Sequence, residues 1–221
     1  MPRKVFYLLA FVMFLTNTGY GVVLPSLPYL ADRIGLNAFQ MGSLVTGWAL
    51  AQFIATPIWG RLVDRIGRKP IFLFGLFGFS VAFFLLLFVQ NYWQFLFARM
   101  IGAALSSGTQ PAIFAMVADL TDKKERGKWM GKMGAFNGLG FLCGPGVGGL
   151  LSPLGVEAPF IAAGSFALIA FPFAVFFLRE PEQKTEQERR PSFWRSFSVL
   201  WKPGYWDLFL TTFGLSLAAS S

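Results

Sequence analysis

A short charged segment, residues 60–70, separates two long apolar runs and most constrains what this chain can fold into. The run before it, residues 39–59, and the run after it, residues 71–90, are each long enough to cross about 30 Å of hydrocarbon as a helix. Because so few residues connect them, the two helices must turn back at one membrane face. The sequence therefore predicts an antiparallel pair of membrane-spanning helices joined by a charged turn.

The rest of the chain repeats this pattern and predicts a polytopic membrane protein. Hydrophobic residues make up 55% of the 221 residues and charged residues only 14%, too few to cover the surface of a soluble domain. Since a helix satisfies its backbone hydrogen bonds internally, as lipid requires, we predict an all-α membrane protein. The six predicted spans are residues 5–30, 39–59, 71–90, 92–117, 129–151 and 160–178.

The distribution of basic residues predicts the orientation. Nearly all of the 19 Lys and Arg fall before the first span, between the second and third, between the fourth and fifth, or after the sixth. By the positive-inside rule these segments and the N-terminus are cytoplasmic, so we predict a multi-pass protein of the cell membrane. The net charge of +8 then reflects topology in the lipid bilayer, and no nucleic-acid partner is expected.

Composition divides the chain into three segments. Residues 1–178 are predicted to form a six-helix transmembrane bundle, and residues 179–205 a polar cytoplasmic linker. Residues 206–221 turn apolar again but fall short of the roughly 20 residues that a span needs, so they are predicted to begin a seventh helix. The simplest expectation is then that this chain is the first part of something longer, and the resemblance described below implies a second six-helix half as its partner. The alternative is a half-size membrane protein that works as a dimer.

The charged segment places its glycines, acids and bases at a characteristic spacing: Gly60-x-Leu62-x-Asp64-Arg65-x-Gly67-Arg68-Lys69. This spacing resembles the signature loop between the second and third helices of the major facilitator superfamily. The resemblance implies that the loop gates the cytoplasmic side of a transporter. It also implies that Arg68 pairs with Asp119 at the inner end of the fourth span, and that Asp64 caps a helix of the second half.

Simple backbone chemistry gives a reason for three residues of this segment. Gly60 and Gly67 are expected to allow a close backbone approach and a turn that side chains would block. Pro70 is expected to be the first residue of the third helix, where its missing N–H costs nothing.

The fifth span carries a second pattern, which is Gly131-x8-Gly140-x3-Gly144-Pro145-x2-Gly148-Gly149. It resembles the antiporter motif of the twelve-helix drug/proton antiporters in the same superfamily. Three of its glycines, at i, i+4 and i+8, form one smooth face against which another helix can pack backbone to backbone. Pro145 removes a helix hydrogen bond and permits a bend. The alternative is an ordinary small-residue packing seam.

Arg99 is a charge inside the fourth span. An arginine there costs on the order of 2.5–3.5 kcal/mol on insertion scales, so we expect it to face a polar cavity. It resembles the arginine of the family motif Arg-x-x-Gln-Gly, although Gly102 and Ala103 replace the last two residues. The resemblance implies a part in proton transfer. Because a guanidinium stays protonated, we interpret Arg99 as tuning a neighbour or holding a hydrogen-bond network. The alternative is that it reaches the outer interface.

In each of four helices, two residues share one face, and most of these residues are polar. The resemblance implies that these helices line a central cavity, so the pairs are our candidates for the substrate wall. Hydrogen bonds between helices are the alternative use for each pair. The pairs are Asn17 with Tyr20, Gln52 with Thr56, Ser107 with Gln110, and Asn137 with Phe141.

The sequence matches no catalytic template. It has no histidine, no phosphate-cradling glycine loop and no metal-ligand cluster, so we expect no catalytic residue, no metal, no cofactor and no enzyme activity. The resemblance implies a secondary transporter that exports amphipathic drugs or other small hydrophobic molecules in exchange for protons by alternating access. Transport of a sugar or metabolite on the same fold is the alternative. The predicted spans contain no mid-membrane Asp or Glu, so the coupling carboxylate stays unassigned.

Overall fold

The computed structural model of the protein describes residues 3–178 and residue 180. The linker from residue 181 and the predicted start of a seventh helix lie outside the described residues. Every regular element in the described part is helical, which confirms the predicted all-α fold. The helices are α1 (Arg3–Val23), α2 (Ser26–Arg33), α3 (Ala38–Ile66), α4 (Arg68–Leu85), α5 (Tyr92–Ser106), α6 (Thr109–Asp119), α7 (Arg126–Leu151) and α8 (Ala158–Phe177). Short 3₁₀ turns, Leu86–Phe88 and Ser152–Leu154, follow α4 and α7.

These helices correspond to the six predicted spans. The first span is α1 with α2, the fourth is α5 with α6, and α3, α4, α7 and α8 are the others. By length and composition, five stretches can cross a membrane: Val5–Val23, Ala38–Ile66, Arg68–Phe88, Tyr92–Asp119 and Ala158–Phe177. The 26-residue α7 is not among them, because its many glycines add length but little hydropathy. It nevertheless packs along the whole of α1.

The second and third helices extend farther into the charged segment than hydropathy predicts. The apolar run ends at Trp59, but α3 continues to Ile66 and α4 begins at Arg68. Backbone hydrogen bonds do not depend on side-chain polarity, so charged residues prolong the helix. Gly60 therefore lies inside α3 beside open space, and Pro70 is the third residue of α4 instead of its first. Only Gly67 lies between the two helices, and its φ of +119° requires glycine.

Polar side chains and turns mark the other helix boundaries. Asn37 and Gln40 form a reciprocal capping box at the start of α3. Asn91 caps α5 by accepting a hydrogen bond from the backbone N–H of Gln94. The first span breaks at residues 24–25 and the fourth at residues 107–108, which divides each of these spans into two helices.

The helix α1 is the centre of the bundle, since it packs against α7 on one side and against α8 on the other. The helix α4 contacts α5, α6 and α8, whereas α3 packs mainly on α5. In the most apolar stretch of α1, 61% of the residues are buried, whereas in that of α3 only 11% are. The uncovered surface of α3 lies beside the cavities described next.

Candidate functional site

A cavity of about 660 Å³ lies between α1, α3, α4, α6 and the end of α5. Six of the eight residues predicted for the substrate wall line it: Asn17, Tyr20, Gln52, Thr56, Ser107 and Gln110. Aromatic rings complete its wall, with Phe53 from α3, Phe79 from α4 and Phe114 from α6. Sequence reasoning missed these three phenylalanines, because among 27 Phe in the chain nothing local distinguishes a cavity ring from a lipid-facing one.

A second cavity of about 470 Å³ continues the first toward α5 and α7. Four of the predicted residues line both cavities: Asn17, Tyr20, Gln52 and Gln110. The second cavity adds the other two predicted residues, Asn137 and Phe141, together with Arg99. The eight predicted wall residues therefore border one continuous surface. Their contact with a substrate stays a prediction.

Most polar groups on this surface already have a partner inside the bundle. The Tyr20 hydroxyl and Ser106 Oγ are 2.8 Å apart, which ties α1 to α5. Thr56 Oγ1 donates to its own helix at the Gln52 carbonyl, at 2.7 Å. The amide of Gln110 donates to Asn137 Oδ1 across 3.4 Å. A hydroxyl that donates keeps its lone pairs, so these hydroxyls still offer acceptors to the cavity, whereas Arg99 and the side-chain amides offer donors.

Arg99 projects from α5 toward α3. Its guanidinium lies 5.5 Å from the centre of the Trp48 ring, close enough for a cation–π interaction. Its Nε is buried and has no hydrogen-bond partner among the described residues. Arg99 is also the single charged side chain that the described residues contribute to the two cavities.

Three glycines of the fifth-span pattern join α7 to α1. A Cβ added to Gly140 would lie 2.5 Å from the Phe14 carbonyl oxygen, and one added to Gly148 would lie 2.6 Å from that of Val22. A Cβ on Gly144 would meet the backbone of Gly21. We call this contact the α1–α7 seam, and only glycine fits its three positions on α7.

The remaining motif residues of α7 are placed differently. Gly131 and Gly149 have open space where a side chain would be, so they do not take part in the seam. Pro145 interrupts the hydrogen bonds of α7, and its ring lies close to Gly21. The i, i+4, i+8 spacing thus predicts the three glycines that pack against α1, whereas the full motif also includes glycines that do not.

A cluster of charges lies at the start of α4, at the end of the bundle predicted to face the cytoplasm. Arg68 Nε donates to Asp119 Oδ2 at 2.7 Å, which joins α4 to α6. Asp64 lies one turn earlier, 4.0 Å from the same guanidinium. The side chain of Arg68 is only 11% exposed, so little solvent screens its ion pair. Arg65 is exposed in the last turn of α3.

Glu180 belongs to this cluster, and sequence reasoning placed it in the linker without a role. Its carboxylate accepts hydrogen bonds from the backbone N–H groups of Arg68, at 2.6 Å, and Lys69, at 2.8 Å. A carboxylate at these first N–H groups also meets the positive end of the helix dipole. A Cβ on Gly67 would lie 2.8 Å from Glu180 Oε1, a second reason for glycine there. Lys69 Nζ donates to the Val175 carbonyl of α8.

Apolar helices around a cavity of aromatic and neutral polar groups, with charges clustered at one end, are typical of membrane transport proteins. The chain belongs to the Major Facilitator Superfamily, whose family model matches residues 9–221.

Individual relatives narrow the comparison. The chain is 34% identical to "Multidrug resistance protein 1" of Bacillus subtilis over 208 residues, which cover 92% of this chain and 54% of the relative. It is 30% identical to "Quinolone resistance protein NorA" of Staphylococcus aureus over 221 residues, covering 99% of this chain and 55% of the relative. The chain therefore spans about half the length of these curated relatives.

A solved structure agrees with this family. The crystal structure of the human organic anion transporter MFSD10 (TETRAN) matches with a TM-score of 0.68 and 26% sequence identity. The match covers 82% of this chain and 49% of that one.

Proposed function

We propose that this chain forms the N-terminal half of a secondary active transporter that exports amphipathic drugs and other small hydrophobic compounds in exchange for protons. The observation that carries the proposal is the cavity wall, where aromatic rings alternate with neutral polar groups and Arg99 is the one charge among the described lining residues. The relatives named for multidrug and quinolone resistance support it.

The chemistry of the wall suits flat, largely apolar molecules. Rings such as Phe53, Phe79 and Phe114 contribute contact area without demanding a fixed geometry. A sugar needs many free hydrogen-bonding side chains, whereas the Thr56 and Ser107 hydroxyls already donate to their own helices. This difference favours amphipathic compounds over the alternative of a sugar or metabolite.

Alternating access requires a closure that can open, and we assign it to the charges at the start of α4. In this proposal the Arg68–Asp119 pair holds α4 to α6 while the cytoplasmic side is closed, and Asp64 caps a helix of the second half. The N-terminus and this cluster then face the cytoplasm.

Arg65 is exposed and offers a test of this orientation. Arg65→Cys in a Cys143→Ser background should react with an impermeant maleimide in inside-out vesicles and not in intact cells.

Proton exchange needs a carboxylate that titrates within the membrane. Among the described residues, every Asp and Glu lies near a helix end or in a connection: Asp32, Asp64, Asp119, Asp122, Glu125, Glu157 and Glu180. The proposal therefore places the coupling carboxylate outside the described residues. Arg99, which stays charged, would hold the hydrogen-bond network around the transported proton.

The test uses ethidium, a fluorescent amphipathic cation. Cells that express the complete reading frame are loaded with ethidium and energised, and the loss of fluorescence is followed with and without a protonophore. We expect efflux several-fold faster than in cells with an empty vector, and no such difference once the protonophore is added. Equal efflux in both strains, over a panel of amphipathic dyes, would reject drug export.

A protonophore-insensitive efflux would instead reject proton exchange and leave drug export standing. Substituting Gly144 and Pro145 separates the sugar alternative, since a sugar transporter should keep its direction and coupling without the glycine pattern.

A further inference from the structure

The fourth span is interrupted beside the larger cavity. The helix α5 ends at Ser106 and α6 begins at Thr109, with a turn at residues 107–108 between them. Pro111 has no N–H to donate to the Ser107 carbonyl, so the helix hydrogen bonds cannot run unbroken through this point. Ser106, Ser107 and Thr109 all line the cavity. A ligand in the cavity would therefore touch the break itself.

Trp59 reaches this break from α3. Its indole Nε1 donates to the Ala104 carbonyl at 2.6 Å, and Ser107 Oγ donates to the same oxygen at 3.0 Å. In a continuous helix the N–H of Gly108 would bind that carbonyl. The Trp59 ring also covers Gly108, where an added Cβ would lie 3.1 Å from ring atoms. Trp59 thus donates a hydrogen bond to the Ala104 carbonyl at the break and packs on Gly108.

The opposite side of the break rests on α4. A Cβ on Gly78 would lie 2.6 Å from Leu105 Cβ, and one on Gly75 would meet Thr109 Oγ1. Thr109 Oγ1 is buried and has no hydrogen-bond partner in the described part of the chain. Thr109 Oγ1 therefore contributes no hydrogen bond among the described residues that would fix the break in one arrangement.

The break also separates two charged groups of the site. Arg99 lies on α5 and borders the cavity, whereas Asp119 ends α6 and holds Arg68. We propose that residues 107–108 form a hinge positioned by Trp59, through which occupation of the cavity changes the angle between α5 and α6 and loosens the Arg68–Asp119 pair. The link to transport rests on the proposed function, and the hinge itself does not.

Spin labels test the hinge without a transport assay. In a Cys143→Ser background, cysteines replace the exposed Trp93 near the start of α5 and the exposed Asp122 just beyond α6. Pulsed electron resonance then measures the distance between labels in the complete protein. We expect ethidium to shift this distance by about 2 Å or more, and Trp59→Phe to shift it the same way without ethidium.

Trp129→Phe is the matched control, because it also removes an indole hydrogen bond, here from Trp129 in α7 to Glu125 just before the same helix, away from the break. It should leave the distance unchanged. If Trp59→Phe does not yield folded protein, Gly108→Ala takes its place, since the new Cβ would lie 3.0 Å from Ile71 and 3.1 Å from the Trp59 ring and so presses on both. A distance that is the same in the parent, with ethidium and in the Trp59 or Gly108 variant overturns the hinge.

Transport gives an independent readout. Trp59→Phe should lower the maximal rate of ethidium efflux roughly fivefold or more and leave the half-saturating concentration within about twofold. A loss of affinity at unchanged maximal rate would show that Trp59 contacts the ligand and does not position a hinge. If the parent protein exports none of the dyes in the panel, the proposed function fails, and the label distances of Trp59→Phe against Trp129→Phe still decide the hinge.

Discussion

The α1–α7 seam and the charge cluster at the start of α4 join helices in opposite ways. In the seam, side chains are absent and the backbone of Gly144 meets that of Gly21. In the cluster, long side chains converge, and the guanidinium of Arg68 lies within 4.0 Å of the carboxylates of both Asp64 and Asp119. A contact made by shape has one close-packed arrangement, whereas charged groups can exchange partners at similar distance.

This difference assigns mechanical roles to the two regions. The seam keeps α1 and α7 together as one unit, because any sliding would bring a side chain against a backbone. The cluster holds α4 to α6 by bonds that a competing charge can replace. Four substitutions test this division, and their expected effects decrease in order.

Removing Asp119 should have the largest effect on stability. Asp119→Ala leaves Arg68, with only 11% of its side chain exposed, without its shortest ion-pair partner. Breaking a buried pair costs 3–5 kcal/mol, and the partial exposure of Asp119 favours the lower end, about 3 kcal/mol. Unfolding in mixed detergent micelles measures it. A double-mutant cycle with Arg68→Gln should recover most of the loss, and additive effects would contradict the pairing.

Filling the seam should cost somewhat less. Gly144→Ala introduces a Cβ against Gly21 and the Thr18 carbonyl, and overpacking of this kind costs about 1–3 kcal/mol. Gly146→Ala is the control on the same helix, where nothing lies within 4 Å of the new Cβ. Thermal unfolding of both variants should separate them clearly. Equal melting temperatures would mean that the seam adapts and is not a rigid joint.

Truncating Glu180 should have a smaller effect. Glu180→Ala leaves the first N–H groups of α4 without their carboxylate, a helix-capping loss of about 1 kcal/mol. Glu180→Gln keeps one acceptor oxygen and should lose about half as much. Because the carboxylate borders Gly67 and Arg68, we also expect the rate of ethidium efflux to fall by more than the small loss of stability explains. A stability loss with unchanged efflux would make Glu180 purely structural.

The ion pair between Arg33 and Glu157 should matter least. It joins the last residue of α2 to the residue before α8, at the end of the bundle opposite the cluster, at 2.9 Å, but both side chains are more than half exposed. Solvent-exposed pairs contribute about 0–1 kcal/mol and weaken with salt. Arg33→Gln should therefore lower the melting temperature by at most about 2–4 °C, and by less at high salt. A stability loss equal to that of Asp119→Ala would show that burial does not decide how much each ion pair contributes to stability.

Sequence predicted well what depends on local chemistry. The apolar runs indicated the spans because lipid imposes both length and helix, and the glycine spacing indicated which face of α7 packs closely. The same periodicity grouped the polar pairs, such as Asn17 with Tyr20, that the structure places around one cavity.

Sequence failed where distant residues decide. Hydropathy ended the second span at Trp59, although the backbone stays helical to Ile66. The contact of Glu180 with Arg68 joins residues 112 positions apart, and no local pattern marks it. The break at residues 107–108 also escaped notice, because Pro111 alone does not tell a kink from a turn; the indole of Trp59 and the glycines of α4 define it.

The bare backbone contact between Gly144 and Gly21 also affects how such a protein can change over generations. No larger residue fits at either position without moving a main chain, so substitution at either one costs stability. Phe53, by contrast, is largely exposed at the cavity, so its exchange for another ring or an aliphatic group should cost little stability. The cavity lining can therefore change while the α1–α7 seam is inherited intact.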